Sequence, residues 1–413
     1  MNSEEFVRHI FIIGSKSIGQ YGGFETFVDH LLEGMEHYSK IMFHVACKAN
    51  GPGAMDESAL NTVQITKQNT KLGVTEFYYK GARVYKIQCP NMGPAVAIYY
   101  DIKAVNEAIK YCKENEIVHP IFYILACRIG IKITSIKKQI GQIGGSLYLN
   151  PDGHEWKRAK WSLPVKRYWK WSEKKMISLA DLVVCDSVSI EKYVRSEYGV
   201  KNTCYISYGA EVKPSVMSDH DSKFLDWLND KKLKINEYYL IVGRFVPENN
   251  YEIMIREYMQ CKSHRSLVII CNENDKLKKS LDRKLHYGQD PRIKFVGTVY
   301  DRELLKKIRE NAYGYLHGHE VGGTNPSLLE ALGSTKINLL LDVGFNREVG
   351  LDAAFYWGKA EGELSALLED TDGMSLDEIK TMGAKAQKRV TENYSWEKIC
   401  HEYKKIFKWK NEL

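Results

Sequence analysis

The sequence predicts an α/β protein built on parallel sheets, and two observations carry that expectation. Short apolar runs recur along the chain with helically spaced apolar residues between them. Strand and helix alternating in this way implies parallel strands joined by helical crossovers. In addition, two strand-to-helix connections are rich in glycine, GSKSIGQYGGFETF from Gly14 and HGHEVGGTNPSLLEALG from His317. Ligands of such sheets gather beyond the carboxyl ends of the strands, where these connections lie.

The first apolar run, Ile10 to Ile13, ends in Gly14 and reads as a buried parallel strand. Phe24, Phe27, Val28, Leu31 and Leu32 then continue at helical spacing. Gly14, Gly19, Gly22 and Gly23 do not fit G-x-G-x-x-G, which disfavours a dinucleotide fingerprint. Gly22 and Gly23 instead suit a close approach of backbone to ligand, with Glu25 near the helix N-terminus; a flexible turn is the alternative. Further strands are expected at Met42 to Ala46, Ala82 to Ile87, Ile121 to Leu125, Ser146 to Leu149 and Leu182 to Cys185. Helices are expected at Ala95 to Cys112 and Trp169 to Ala180. Asp152 and Gly153 follow one strand end, and Asp186 and Ser187 another.

Between those ends, His154 to Lys175 interleaves Lys157, Arg158, Lys160, Lys166, Arg167, Lys170, Lys174 and Lys175 with Trp156, Trp161, Trp169 and Trp171. Basic residues mixed with tryptophan suit an anionic membrane interface. They also suit single-stranded nucleic acid, or a helix packed through its tryptophans with a solvated basic face.

From Val212 to Asn236 the chain turns polar, which places a linker between two domains. Asp219-His220-Asp221 imitates a metal-binding D-x-D, but no apolar strand precedes it, so it is assigned to the linker. The second domain opens with the strand Tyr238 to Val242 and Gly243-Arg244-Phe245; an arginine after a strand-ending glycine is placed to hold a diphosphate. Strands are expected at Leu267 to Cys271, Ile293 to Val296 and Ala312 to Leu316, and a helix at Leu304 to Ile308. Lys336 to Leu341 and Ala354 to Tyr356 read as last strands, and Trp396 to Trp409 as a docked helix. In His317 to Gly333, Thr324 or Asn325 can cap a helix and Pro326 fits its first position. The unpaired amides there would favour a phosphate, with Glu330 about one turn inside the helix to reach a sugar hydroxyl. A capped helix with a solvated glutamate fits the spacing as well.

The 413 residues accommodate two or three domains, and 44% apolar with 27% charged residues is ordinary for a globular chain. The net charge of +7 favours anionic partners. Nine scattered cysteines without a C-x-x-C pair argue for a reducing compartment and against a structural zinc site. The charged opening, MNSEEFVRH, does not read as a signal peptide, and no apolar window is long enough to span a bilayer.

Three segments together, YGGFETFVDHL, VGRFVPENN and VGGTNPSLLEALG, resemble the retaining family-4 glycosyltransferases. With DGHEWKRAKW they look closest to a bacterial subgroup that includes rhamnosyltransferases of capsule and cell-wall polysaccharide assembly. The resemblance runs from about Arg8 to Trp409. It implies the GT-B fold: two doubly wound Rossmann-like domains facing a central cleft. The boundaries expected are 1–211 for the acceptor-side domain, 212–236 for the linker, 237–395 for the nucleotide-sugar domain and 396–413 for a C-terminal helix docking back on the first domain.

The resemblance also implies roles. Glu330 matches the second glutamate of the family's E-x7-E motif, on the nucleotide ribose, and Arg244 the arginine on the donor diphosphate. Gly22 and Gly23 match the amino-terminal glycine loop beside the donor phosphate and the acceptor, and Asp152 a polar catalytic or sugar-contacting position after a strand. Gly322 stands where the first glutamate is expected, leaving the amides of Gly323, Thr324 and Asn325 to serve the donor. Asn249 stands where a lysine is expected, with Lys294 as a helper. Trp156, Lys157, Arg158, Lys160 and Trp161 are assigned to the membrane and acceptor. The expected reaction is retaining transfer from a nucleotide sugar, dTDP-L-rhamnose, to a lipid-diphosphate-linked saccharide at the inner face of the cell membrane. No metal, cofactor or nucleic acid is expected. A UDP-hexose or UDP-N-acetylhexosamine transferase, a GT-B epimerase and a non-catalytic nucleotide-sugar module are the alternatives.

Overall fold

The computed structural model describes residues 7–20, 22–70, 73–272 and 274–408. Tyr21 of the first glycine turn, Trp409 of the terminal helix and most of the charged opening therefore lie outside the described residues. The chain forms two compact units, one of residues 7–208 with 396–408, the other of residues 209–395.

In the first unit the order is β1 (Arg8–Ile13), α1 (Gly23–Met35), β2 (Ile41–Lys48), β3 (Gln64–Asn69), β4 (Gly73–Tyr79), β5 (Ala82–Ile87), α2 (Val96–Glu114), β6 (Ile121–Leu125), α3 (Ile133–Gln142), β7 (Ser146–Asn150), α4 (Leu163–Leu179), β8 (Leu182–Cys185), α5 (Val188–Tyr198) and β9 (Thr203–Tyr205). The second unit holds α6 (Ser222–Asp230), β10 (Tyr238–Val242), α7 (Tyr251–Gln260), β11 (Ser266–Ile270), α8 (Asp275–Leu285), β12 (Ile293–Gly297), α9 (Arg302–Glu310), β13 (Gly314–His317), α10 (Pro326–Ser334), β14 (Ile337–Leu341), α11 (Gly344–Gly350), β15 (Phe355–Trp357), α12 (Glu363–Asp372) and α13 (Leu376–Tyr394). The terminal helix, α14 (Trp396–Phe407), belongs to the first unit.

Both sheets are doubly wound. Among the described residues the first has the order β3-β4-β5-β2-β1-β6-β7-β8-β9 and the second β12-β11-β10-β13-β14-β15. The central strands are buried throughout, as in Ile121–Leu125 and Tyr238–Val242, and this is why they read as unbroken apolar runs. The first sheet is not wholly parallel: β3 and β4 pair antiparallel with each other, and β4 with β5. In α14, Ile399, Cys400, Tyr403 and Phe407 are buried, and the Tyr403 hydroxyl lies 2.9 Å from that of Tyr123 on β6.

The polar stretch expected as a linker differs from that expectation, because it contains α6. Phe224 and Leu228 of that helix are buried in the second unit's core beside Leu304 and Ile308. Asp221 caps α6 by accepting from Lys223 N, and Asp219 pairs with Lys307 at 2.6 Å. The D-x-D carboxylates thus have structural partners, and their loss is expected to be felt in stability.

Candidate functional site

The second unit has its topological switch between β10 and β13. From there the order runs outward through β11 on one side and β14 on the other, so the carboxyl ends of these strands open a crevice. Four hydrogen bonds order the two loops of that crevice, and three of them run from one loop to the other. Asn249 donates from Nδ2 to the Arg244 carbonyl at 2.7 Å, and its Oδ1 lies 2.8 Å from His319 Nδ1. Because the amide nitrogen is donating, Oδ1 is the acceptor and His319 carries its proton on Nδ1. Asn250 Nδ2 donates to Gly318 O at 2.8 Å, and Glu320 N to Glu248 O at 3.1 Å. Gly318 has no room for a side chain, since a Cβ there would run into the Asn249 carbonyl oxygen.

Arg244 is exposed at the mouth of this crevice. Its guanidinium makes no hydrogen bond or ion pair among the described residues, leaving it available to an anionic ligand. On the β13 side, Gly322 holds φ at +130°, a conformation open to glycine. Gly323 and Thr324 are buried, and Asn325 caps α10 by accepting from Ser327 N at 2.9 Å. Pro326 occupies the first helical position. The hydroxyls of Tyr315 and Ser327 both donate to the Val242 carbonyl, at 3.1 and 3.2 Å, fixing the start of α10 against the end of β10. The structure therefore brings Arg244, Asn249, Gly323, Thr324 and Asn325 to one end of one sheet.

Glu330 is on α10, and its carboxylate pairs with Arg309 of α9 at 2.6 Å. Arg309 is 5% exposed and Glu330 34%, so the glutamate supports the fold as well as facing solvent. No signal in the sequence links Arg309 to Glu330, 21 positions later, because the pairing is made by packing of α9 on α10. Glu320, the carboxylate nearest the missing first glutamate, pairs with Lys359. Lys294 is not at the crevice: it stands near the amino end of β12, and its ammonium donates to the carbonyls of Lys231 and Lys232 at 2.9 and 2.8 Å. A charge consumed by two backbone acceptors at the opposite end of the strand does not serve a donor there.

In the first unit, Gly22 and Gly23 open α1, and the Gly22 carbonyl accepts from Thr26 N at 2.9 Å. The Glu25 carboxylate folds back over this turn and accepts from Lys16 N at 2.9 Å. A carboxylate in the first turn repels a phosphate, so this turn suits a hydroxyl-bearing ligand better than the donor phosphate expected there. Asp152, Gly153 and His154 follow β7 with φ of +60°, +68° and +51°, three consecutive left-handed residues. Strained backbone of this kind, at a strand's carboxyl end, is where functional loops concentrate. Asp152 is half-buried and its N–H donates to Asn150 Oδ1 at 2.9 Å. The His154 ring packs on Tyr193 with centroids 4.2 Å apart.

The residues assigned to membrane and acceptor largely contact one another. Glu155 accepts from the Trp161 indole at 2.9 Å and pairs with Arg158 and, at 3.2 Å, with Lys160. Lys157 and Lys170 lie over the Trp156 ring at 5.3 and 4.7 Å. Of these five, Lys157 and Lys160 are exposed, while Trp156 and Trp161 are half-buried and Arg158 is buried. Among the described residues no helix is long and apolar enough to cross a membrane.

Burial lowers the pKa of His317, the last residue of β13, to about 3, and burial aided by Lys157 and Lys170 lowers that of His154 to about 4. Both are neutral in the folded protein. As pH falls below about 6.5 the unfolded chain takes up protons that the folded chain does not, so stability present above that pH is lost progressively. The melting temperature is expected to be lower at pH 5 than at pH 7.5, and His317→Phe to shrink the difference. An equal melting temperature at both values would contradict this.

Comparison with known proteins follows the same division. Residues 7–211 match the family described as "Domain of unknown function (DUF1972)". A comparison with curated protein sequences found no significant match. Among solved structures, sucrose-phosphate synthase from Thermosynechococcus elongatus is similar with a TM-score of 0.75 at 15% identity, over 97% of this chain and 98% of the other. HepE from Anabaena in complex with UDP-glucose gives 0.65 at 14% identity, over 97% and 98%. A glycosyltransferase from Rickettsia africae gives 0.69 at 11%, over 97% and 98%. At such identities the likeness is one of fold, and it spans the described sheets of both units: the chain has the GT-B fold, with two Rossmann-like domains.

Proposed function

We propose that the protein is a glycosyltransferase that moves a sugar from a nucleotide sugar to an acceptor hydroxyl. The observation that carries this reading is the crevice at β10 and β13. There an uncommitted arginine and the capped N-terminus of α10 follow neighbouring strands, and Asn249 ties the arginine's loop to His319 of the connection leading into α10, an arrangement suited to a diphosphate. In transfer, the anomeric carbon–oxygen bond to the diphosphate breaks and a bond to the acceptor oxygen forms. The acceptor's proton passes to an oxygen of the departing phosphate, which is compatible with retention and needs no separate strong base. Arg244 and the Gly323 to Asn325 amides stabilise the charge growing on the diphosphate, preorganised so that nothing need rearrange. Glu330 serves the ribose, and Asp152 and the Gly22–Gly23 turn the acceptor.

The finer reading names dTDP-L-rhamnose as donor and a lipid-diphosphate-linked saccharide as acceptor. It rests on the resemblance of VGGTNPSLLE and DGHEWKRAKW to rhamnosyltransferase sequences. A second reading, a UDP-hexose donor, is favoured by the structural similarity to HepE bound to UDP-glucose. The test is transfer with dTDP-L-rhamnose against UDP-glucose, UDP-galactose and UDP-N-acetylglucosamine on one lipid-diphosphate-sugar acceptor, with and without EDTA. Rhamnosyl product that persists in EDTA is expected. Product from a UDP-sugar alone refutes the rhamnose donor and keeps the reaction class. Conversion of a nucleotide sugar without acceptor points to an epimerase, and binding without any turnover to a non-catalytic module.

A further inference from the structure

We propose that the outward face of α4 is a docking surface for an anionic lipid bilayer, which narrows the His154 to Lys175 stretch suggested by the sequence to one face of one helix. Leu163, Arg167, Trp171, Lys174 and Ser178 are all exposed. At 100° per residue they fall within about 80° of one another, a single stripe along the helix. Leu163 is 73% and Trp171 46% exposed, two large apolar groups about 12 Å apart along α4. The helix also carries Lys166, Lys170 and Lys175, and its one carboxylate, Glu173, is buried and accepts from the hydroxyls of Tyr193 and Tyr198. Beside Trp171 is a cavity of about 400 Å³ lined by Arg167, Lys170, Trp171, Lys174, Glu197 and Tyr198. Glu197 is paired with Lys170 at 2.8 Å, leaving Arg167 and Lys174 as the unbalanced charges of that rim.

Apolar side chains standing out from a ring of cations match the boundary between acyl chains and anionic headgroups. A single nucleic-acid strand is a poorer match. It would need successive exposed rings on which to stack, whereas Trp169 is buried, Trp156 and Trp161 are half-buried, and Trp171 is the one exposed indole of this segment. The surface deepens the proposed function, and rests on it, in bringing the enzyme to a lipid-borne acceptor.

The test is sedimentation of the full chain with vesicles of phosphatidylcholine containing about a third phosphatidylglycerol, without donor or acceptor, so that a failed transfer assay and a failed docking assay remain separate results. Wild type should pellet with these vesicles, far less with pure phosphatidylcholine, and should come off as salt rises. Each cation near such a surface contributes about fivefold, so Arg167→Gln with Lys174→Gln should lower the partition coefficient about thirtyfold. Leu163→Ser with Trp171→Ser should also lose binding, and both variants should melt where wild type does. Equal pelleting of wild type with neutral vesicles, undiminished binding by either double variant, or tight binding to a single-stranded oligonucleotide with none to vesicles would overturn the proposal. The salt dependence of wild type alone decides the matter if a variant fails to fold.

Discussion

Arg244→Ala is expected to weaken nucleotide-sugar binding by about ten- to a hundredfold, the loss of a charge-assisted hydrogen bond worth about 1.5–3 kcal/mol. The fold should be untouched, because the guanidinium is exposed and makes no hydrogen bond or ion pair among the described residues. What holds this loop is the Arg244 carbonyl, which accepts from Asn249, and alanine retains that carbonyl. Arg244→Lys is expected to recover part of the loss, since an ammonium keeps the charge but not the planar fork. Calorimetric titration with dTDP and UDP, alongside a melting curve, checks both halves. Wild-type affinity in Arg244→Ala would remove the β10–β13 crevice as the donor site.

Glu330→Ala carries a second large effect, and here the structure alters the expectation. From the sequence alone, a helix position needs no glutamate for packing, so the change should cost ligand affinity only. In the structure Glu330 is the ion-pair partner of buried Arg309. Stranding one member of a fully buried pair costs about 3–5 kcal/mol; with Glu330 itself a third exposed, solvent screening brings this to roughly 1–3 kcal/mol. A melting temperature several degrees lower is therefore expected together with weaker donor binding. Glu330→Gln separates the effects: its amide oxygen can still accept from Arg309, so stability should largely return while a ribose loses one carboxylate acceptor. Donor affinity fully restored in Glu330→Gln would assign Glu330 to the fold rather than to the ligand. A melting temperature in Glu330→Ala equal to wild type would show the ion pair to be without consequence.

The sequence alone determined the strands of both sheet centres, such as Ile121–Leu125 and Tyr238–Val242, because strands buried on both faces must be apolar at every position. It also determined the start of α10, since an asparagine cap, a proline at the first helical position and glycines before them are local chemistry. It could not determine β3, whose residues Gln64–Asn69 are all exposed and leave no apolar trace. Nor could it determine α6, where two inward residues, Phe224 and Leu228, are outnumbered by the polar ones around them. At the site, Arg244, Asn249 and the Gly323–Asn325 turn were legible as types in a pattern, whereas Lys294, second in its strand, lies at the amino end of β12 and is held by the carbonyls of Lys231 and Lys232. In the same way, periodicity showed tryptophans and cations together from Trp156 to Lys175. Only packing decided that Trp156 and Trp161 are held in local contacts while Leu163 and Trp171 face water. Local turn and strand chemistry is written in neighbouring residues; pairings such as Arg309 with Glu330 exist only once burial makes an unpaired charge costly.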